Sequence, residues 1–189
     1  MKPTASLLLL TSLAPLSAQD LLNPLIVTAT RSEDENVPYS VAKITAETMR
    51  NEARRTLPEA LEYVPGVLVQ KTTQGHGSPF IRGFTGRQNL FLVDGVRLNN
   101  SVWRSGPVQY WNTVDPYSLD HLELVKSQGS VIFGSDAIGG TLNAFTRSSG
   151  FENEAAGAVF THGSAYYEYR SNGDDSHIGH IEGSAGVGG

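Results

Sequence analysis

The sequence predicts an α+β fold in which a small mixed β-sheet carries short helices. Three observations point there. Twenty glycines and nine prolines in 189 residues favour short elements joined by many turns. Strand-length segments, such as the apolar run Leu90-Phe91-Leu92-Val93 and the alternating His121-Leu122-Glu123-Leu124-Val125-Lys126, recur through the middle of the chain. Helix punctuation is confined to brief stretches, chiefly Thr56-Leu57-Pro58-Glu59. There Glu59 stands three residues after Thr56, the spacing of a capping box, with Pro58 in the first turn.

In chain order, Lys2, the apolar stretch Ala5–Leu16 centred on Leu7-Leu8-Leu9-Leu10, and the small pair Ser17-Ala18 make residues 1–18 a secretory signal peptide, too short to span a bilayer. Residues 19–36 form a polar, flexible tail. It is interrupted by the β-prone hexamer Leu25-Ile26-Val27-Thr28-Ala29-Thr30, set between Pro24 and the charged stretch from Arg31 to Glu35. An isolated extended segment offers a free edge for strand addition by a partner; an ordinary first strand is the other reading of the same residues.

A domain follows at 37–150. Val37–Ile44 reads as a strand, and Thr45-Ala46-Glu47 opens a helix that runs to about Glu52. Leu57, Leu61 and Val64 share one face of a second helix that stops at Pro65-Gly66. Val67-Leu68-Val69 then reads as a buried strand. Further strands are expected at Pro79–Arg82, Asn89–Val93, Val96–Leu98, Leu119–Lys126 and Gly140–Thr146. Asp94-Gly95 between two apolar runs is a hairpin signal. The alternation from His121 to Lys126 predicts a half-buried strand with Glu123 on its polar face. Gly83, Gly134, Gly139 and Gly140 are read as structural, permitting tight turns and close strand packing.

Composition removes several function classes. A formal net charge of −5 argues against a nucleic-acid partner, which needs concentrated basic surface. The absence of cysteine removes disulfides and thiolate metal sites. His162, His177 and His180 lack metal spacing with a carboxylate, and Asp174-Asp175 lacks the alternation of a calcium loop. Gly129 and Gly134 have the outer spacing of a phosphate loop, but Ser135 stands where its lysine must be. No catalytic constellation is present, so no enzyme, resident metal or cofactor is expected. No run of about 18 apolar residues follows the leader, so any membrane association must use β-strands.

Three elements in order, Phe80-Ile81-Arg82-Gly83-Phe84, Leu90-Phe91-Leu92-Val93-Asp94-Gly95-Val96-Arg97-Leu98-Asn99, and Val131-Ile132-Phe133-Gly134-Ser135-Asp136-Ala137-Ile138-Gly139-Gly140-Thr141-Leu142-Asn143, together resemble the plug domain of TonB-dependent outer-membrane receptors. The step Glu59-Ala60-Leu61-Glu62-Tyr63-Val64-Pro65-Gly66-Val67 resembles the helix-to-strand opening of such plugs. The resemblance covers about Leu25 to Thr146.

That resemblance implies an outer-membrane barrel, closed by its plug, importing a scarce nutrient such as an iron chelate, haem or cobalamin. The hexamer 25–30 resembles the TonB box, which binds the periplasmic energy transducer. Arg82 and position 126 are implied to meet glutamates on the barrel wall. Here position 126 is Lys126, followed by Ser127-Gln128 where the family has Arg-Gly-Pro, and lysine lacks the bidentate geometry of arginine. The loops Gln70–Ser78 and Asn99–Pro116 are implied to rise toward the ligand at one end of the domain. Trp103, Tyr110 and Trp111 would supply broad contacts and Arg104 would read an anionic group. His76 is either an ordinary loop histidine or an axial ligand to haem iron.

Residues 151–189 bear short aromatic runs, Glu154–His162 and Ala165–Arg170, divided by Gly163-Ser164, then loose alternation from Ile178. They resemble the first strands of a transmembrane barrel. Plugged transporters use 22 strands, roughly 220 residues at about 10 per strand, against the 39 residues of 151–189. The expectation is therefore the plug-bearing N-terminal part of a longer receptor with an incomplete barrel. The alternative is a periplasmic plug-like binding module without a barrel.

Overall fold

The computed structural model describes residues 40–73, 75–148, 156–171 and 175–188. The expected signal peptide and the tail with its segment 25–30 lie outside the described residues.

Strand β1 (Ser40–Thr45) leads directly into helix α1 (Ala46–Asn51). Thr45 serves both, ending the strand and accepting the Thr48 N–H on its hydroxyl at 3.2 Å. A side chain at this position satisfies one of the orphan donors of the first turn. Helix α2 (Leu57–Ala60) is capped as the sequence predicts, with Thr56 Oγ1 accepting from Glu59 N at 3.4 Å. The Glu59 carboxylate returns to Arg55 N at 2.9 Å, one residue before the cap. The helix is a single turn, shorter than the Leu57/Leu61/Val64 spacing suggests. Beyond Leu61 the chain turns tightly instead (Val64 N to Leu61 O, 3.0 Å; Val67 N to Val64 O, 3.1 Å), with Gly66 at φ +82°. Leu57 and Leu61 are fully buried all the same.

Strands β2 (Val67–Thr73) and β3 (His76–Ile81) form an antiparallel hairpin paired only with itself. This corrects two expectations. Residues 70–78 are not a long loop, because the ladder runs from Val67↔Ile81 to Thr73↔His76. Val67-Leu68-Val69 is not a buried strand either, since Leu68 is 68% exposed. A hairpin with one face on the core leaves its alternate residues in solvent.

The main sheet contains β4 (Asn89–Val93), β5 (Val96–Arg97), β6 (Leu119–Lys126) and β7 (Gly140–Thr146), with α3 (Ser130–Phe133) between the last two. The strand order is β1-β6-β7-β4-β5. Only β4 and β7 run parallel; the other pairings are antiparallel. Short 3-10 helices lie at Gly86–Gln88, Tyr110–Thr113 and Pro116–Ser118. The sheet is thus mixed, with short helices, as the composition predicts.

The turn between β4 and β5 is built by Asp94 (φ +49°) and Gly95 (φ +78°). Two positive φ values give the primed turn whose twist suits a hairpin. The same residues bolt the turn to β7: the Asp94 carboxylate accepts from Thr146 N at 2.8 Å and from its hydroxyl at 2.7 Å, while Asn143 Oδ1 accepts from Gly95 N at 3.2 Å. Arg82-Gly83 repeats the device, with φ of +55° and +88° between the bridged residues Ile81 and Phe84.

One face of the sheet packs Phe91, Leu122, Leu124, Leu142 and Ala144 against Leu57, Leu61, Ile81 and Trp111. The opposite face holds a smaller cluster of Leu90, Leu92 and Ala137, with Phe133 against it. Strand β6, between β1 and β7, is covered on both faces. Its residues from Leu122 to Val125 are all buried, Glu123 at 1% exposure, which corrects the half-buried reading. Gly134 ends α3 at φ +94°. Gly139 is required for space instead: a Cβ there would sit 2.2 Å from Asn89 Oδ1 and 2.5 Å from Phe84 Cβ. Gly140 is similarly hemmed by Val125 O at 2.9 Å.

Strands β8 (Val159–Arg170) and β9 (Ser176–Val187) form a long antiparallel pair. Gly163-Ser164 does not divide β8 as expected, because Gly163 pairs with Gly183 and Ser164 with Glu182 in an unbroken ladder.

Candidate functional site

A cleft opens between the β2–β3 hairpin and the loop 99–116, lined by Gln70, Thr72, His76, Ser78, Arg104 and Gln109 among others. The sequence predicts that these two segments meet at one end of the domain, and hydrogen bonds join them. Val108 N donates to Ser78 Oγ at 3.1 Å, and Asn112 Nδ2 donates to Gly77 O at 2.8 Å. The loop is seated from the other side by Gly86, at φ +59°, whose missing Cβ would stand 2.1 Å from Gly106 O. Nothing in the sequence pattern singled out that glycine pair. Asn99 fixes the start of the loop: its side-chain amide accepts from Phe91 N at 2.9 Å and donates to Asn89 O at 2.8 Å. It thereby replaces a neighbouring strand where β5 has ended.

The aromatic residues of the loop are not placed as a contact surface. Trp103 is 4% exposed and Trp111 is fully buried. Both pack on Phe91, with ring centroids 5.7 and 5.1 Å away. The expectation that they broaden a ligand surface is corrected: they are the core beneath it. A loop carrying two tryptophans can bury its own backbone-facing side only by tucking them under, and each indole removes a large apolar area from water. Tyr110 is different. It is 37% exposed and stacks on Trp103 at 4.8 Å and 25°, a rigid ring with one face supported.

Arg104 lies along the cleft, its Nε donating to Pro107 O at 3.2 Å and its terminal nitrogen to Gln109 Oε1 at 3.0 Å. Arg87 reaches the same loop at Ser105 Oγ, 3.2 Å away. His76 is exposed at the start of β3. Among the described residues no group of His, Cys, Asp and Glu is arranged to hold a metal ion.

Arg82 and Lys126 lie close together, both against the α2–β2 turn. Arg82 N donates to Gly66 O at 3.0 Å while its side chain is exposed. Lys126 Nζ donates to Pro65 O at 2.9 Å. The contacts between the sheet domain and β8–β9 use other residues, which sequence reasoning missed. Arg147 pairs with Glu182 at 2.9 Å, Asp115 with His180 at 3.1 Å, and Arg55 donates to Ser176 Oγ at 3.1 Å. Tyr117 packs against Tyr166, centroids 5.0 Å apart.

A second polar cluster lies on β6. His121 faces Glu123 at 3.4 Å and Asp120 at 2.7 Å, and stacks on Phe145 at 4.5 Å. The Glu123 carboxylate raises the His121 pKa above its ordinary value, burial opposes it, and Asp120 adds to the rise.

Comparison with known proteins gives one consistent answer. Residues 33–141 match the model of the TonB-dependent receptor plug domain. The vitamin B12 transporter BtuB of Vibrio vulnificus (strain CMCP6) is 37% identical over 147 residues, covering 75% of this chain and 24% of the transporter. The ferrichrome outer membrane transporter/phage receptor of Escherichia coli (strain K12) is 32% identical over 127 residues, covering 64% of this chain and 16% of the relative. This chain thus spans a quarter or less of these relatives' lengths. Among solved structures, a mutant of the ferric enterobactin receptor PfeA from Pseudomonas aeruginosa superposes with a TM-score of 0.57 at 20% identity, over 82% of this chain and 23% of that one. The siderophore receptor PirA from Acinetobacter baumannii does so with a TM-score of 0.55 at 21% identity, over 77% and 22%. The sheet, the turns and the matched residues agree: the chain belongs to the TonB-dependent receptor plug-domain family.

Proposed function

We propose that residues 37–150 are the plug of an outer-membrane receptor, from a bacterium of Gram-negative type, that binds a scarce nutrient and gates its energy-coupled import. In this reading 1–18 direct export, 25–30 bind the TonB-type transducer, and 151–189 begin the barrel. Transport rather than catalysis is the activity, in keeping with relatives named as transporters and receptors.

The observation that carries the reading beyond family membership is the pattern of β8–β9. Val159, Thr161, Gly163 and Ala165 face the same way as Ile181, Gly183, Ala185 and Val187, with Tyr167 and Tyr169 toward one end of that exposed face. Ser164, Tyr166, Glu168, Arg170, His180 and Glu182 point the other way, partly toward the sheet domain. Apart from Phe160 and Ile178 inward and Thr161 and His177 outward, apolar and small residues lie outward, polar residues inward and tyrosines near one end, the pattern of a barrel strand in lipid. A periplasmic module without a barrel would leave that outward face in water.

Energy coupling is tested on the complete receptor. Replacing Ile26 or Val27 with proline removes a backbone donor and fixes φ, which strand addition by the transducer does not tolerate. Uptake should fail while ligand binding and outer-membrane abundance persist. Normal uptake in both variants would overturn the role given to 25–30.

A further inference from the structure

The loop 99–116 runs into a short turn, Asp115 to Ser118, that touches the β8–β9 pair. The turn has a fixed shape. Asp115 Oδ1 accepts from Tyr117 N at 3.0 Å, and the Asp115 carbonyl accepts from Ser118 Oγ at 2.8 Å. The second carboxylate oxygen of Asp115 lies 3.1 Å from His180 Nδ1 on β9. Tyr117 packs its ring against Tyr166 of β8 and against the His180 imidazole, with centroids 5.0 and 5.9 Å away. Arg147, just past β7, ties the same parts together. Its backbone N donates to Ser118 O at 3.0 Å, one terminal nitrogen donates to Tyr117 O at 3.2 Å, and the other pairs with Glu182 at 2.9 Å. His180 is the shared member, facing Asp115, Tyr117 and, at 3.7 Å, Glu182.

This contact is specific but weak. The Asp115 carboxylate is half exposed, and an ion pair open to water contributes little. A cavity of about 230 Å³ flanks the contact. Beside it the Tyr117 hydroxyl and His180 Nε2 are buried without a hydrogen-bond partner among the described residues. Buried polar atoms left unmatched cost free energy that water returns when the surfaces part. The chain leading to the turn is stiff by comparison. Trp111 is fully buried, Asn112 is bonded to Gly77 O, and Pro116 fixes its own φ. A stiff segment with a weak hold at its end passes motion on until the hold releases.

We propose that the turn 115–118 is a clasp that fastens the cleft loop to the first barrel hairpin, with His180 as its positioning residue, and that it releases when the domain moves within the barrel. The inference rests on the receptor reading above and adds a contact point to it. It is distinct from Arg82 and Lys126, which bond to the α2–β2 turn.

The test is the conductance of the complete receptor in planar bilayers, with potassium chloride as the only permeant. Asp115→Asn and His180→Gln should each raise the frequency of channel opening over wild type by about threefold or more. The double variant should be no more active than either single, because both remove one contact. His177→Gln, on the outward face of the same strand, should stay at the wild-type level. Amide hydrogen exchange separates release of the clasp from unfolding: it should rise in 99–116 and stay unchanged in β6 in both clasp variants. Unchanged opening in both single variants, additive effects in the double, or an equal effect of His177→Gln would each overturn the clasp and leave the receptor reading intact. A complete protein that forms no barrel in the bilayer would overturn both.

Discussion

The five-stranded sheet and the β8–β9 pair are both built from strands with few helices around them, yet they are finished to different degrees. The sheet buries both faces of its central strand and closes its weak edge with the Asn99 side chain. The pair β8–β9 has one partly buried polar face and one exposed face that includes Val159 at 75% and Ile181 at 87% exposure. The sheet carries its own core. The pair has the side chains of a surface that some other medium must cover. The contrast teaches that strand content alone does not define a folding unit; what matters is whether each face has something to lie against.

Deleting a core anchor should break the contrast most visibly. Trp111 is fully buried against Phe91, so Trp111→Ala should cost about 3–5 kcal/mol. Tyr167→Ala, on the outward face of β8, should leave the melting of the sheet domain in detergent within error. Denaturant midpoints of the two variants measure this, and equal losses would mean that the two regions unfold as one.

A glycine pair sharpens the same point. Gly139→Val forces a side chain into Asn89 and Phe84 and should destabilise by about 2–3 kcal/mol through overpacking. The same change at Gly183, where the nearest atom to an added Cβ is His162 O at 4.0 Å, should cost less than about 0.5 kcal/mol. Thermal melts of both in one detergent decide it.

The smallest expected effect comes from His121. Its pKa is raised in the folded state by Glu123, then Asp120. A group with a raised folded pKa contributes stability fully below its unfolded value, about 6.5, and loses it as pH rises through the higher folded value. Melting temperature should therefore decline slightly across that window. Glu123→Gln should flatten the dependence, and a wild-type profile without any decline would remove His121 from the account.

Much of the sheet was legible because its signals are local. Strands β4, β6 and β7 occupy the residues that the apolar runs predict, and the Thr45 and Thr56 caps and the Asp94-Gly95 turn follow from single-residue chemistry. The cleft was half legible. That segments 70–78 and 99–116 meet at one end is what the family resemblance implies, and Arg104 lines the cleft between them. What sequence could not decide was direction. Trp103 in a polar loop reads the same whether it points up or down, and only Phe91, 12 positions earlier, makes down the favourable side. Glu123 misled for the same reason: alternation marks a half-buried strand only if one face stays open, and β6 has neighbours on both edges and cover on both faces. Gly86 was invisible because its need arises from a backbone 20 positions away.

The strand order has a consequence in time. Apart from the two-residue β5, the neighbours of β1 and β4 come from β6 and β7, so Ser40 waits for Lys126 and Asn89 waits for Gly140. A chain emerging amino end first has no partner for its first strand until the segment ending at Lys126 has appeared. Contacts so distant along the chain make assembly slow. The sheet therefore cannot close early, and the chain stays open and threadable until the strands that complete it have followed.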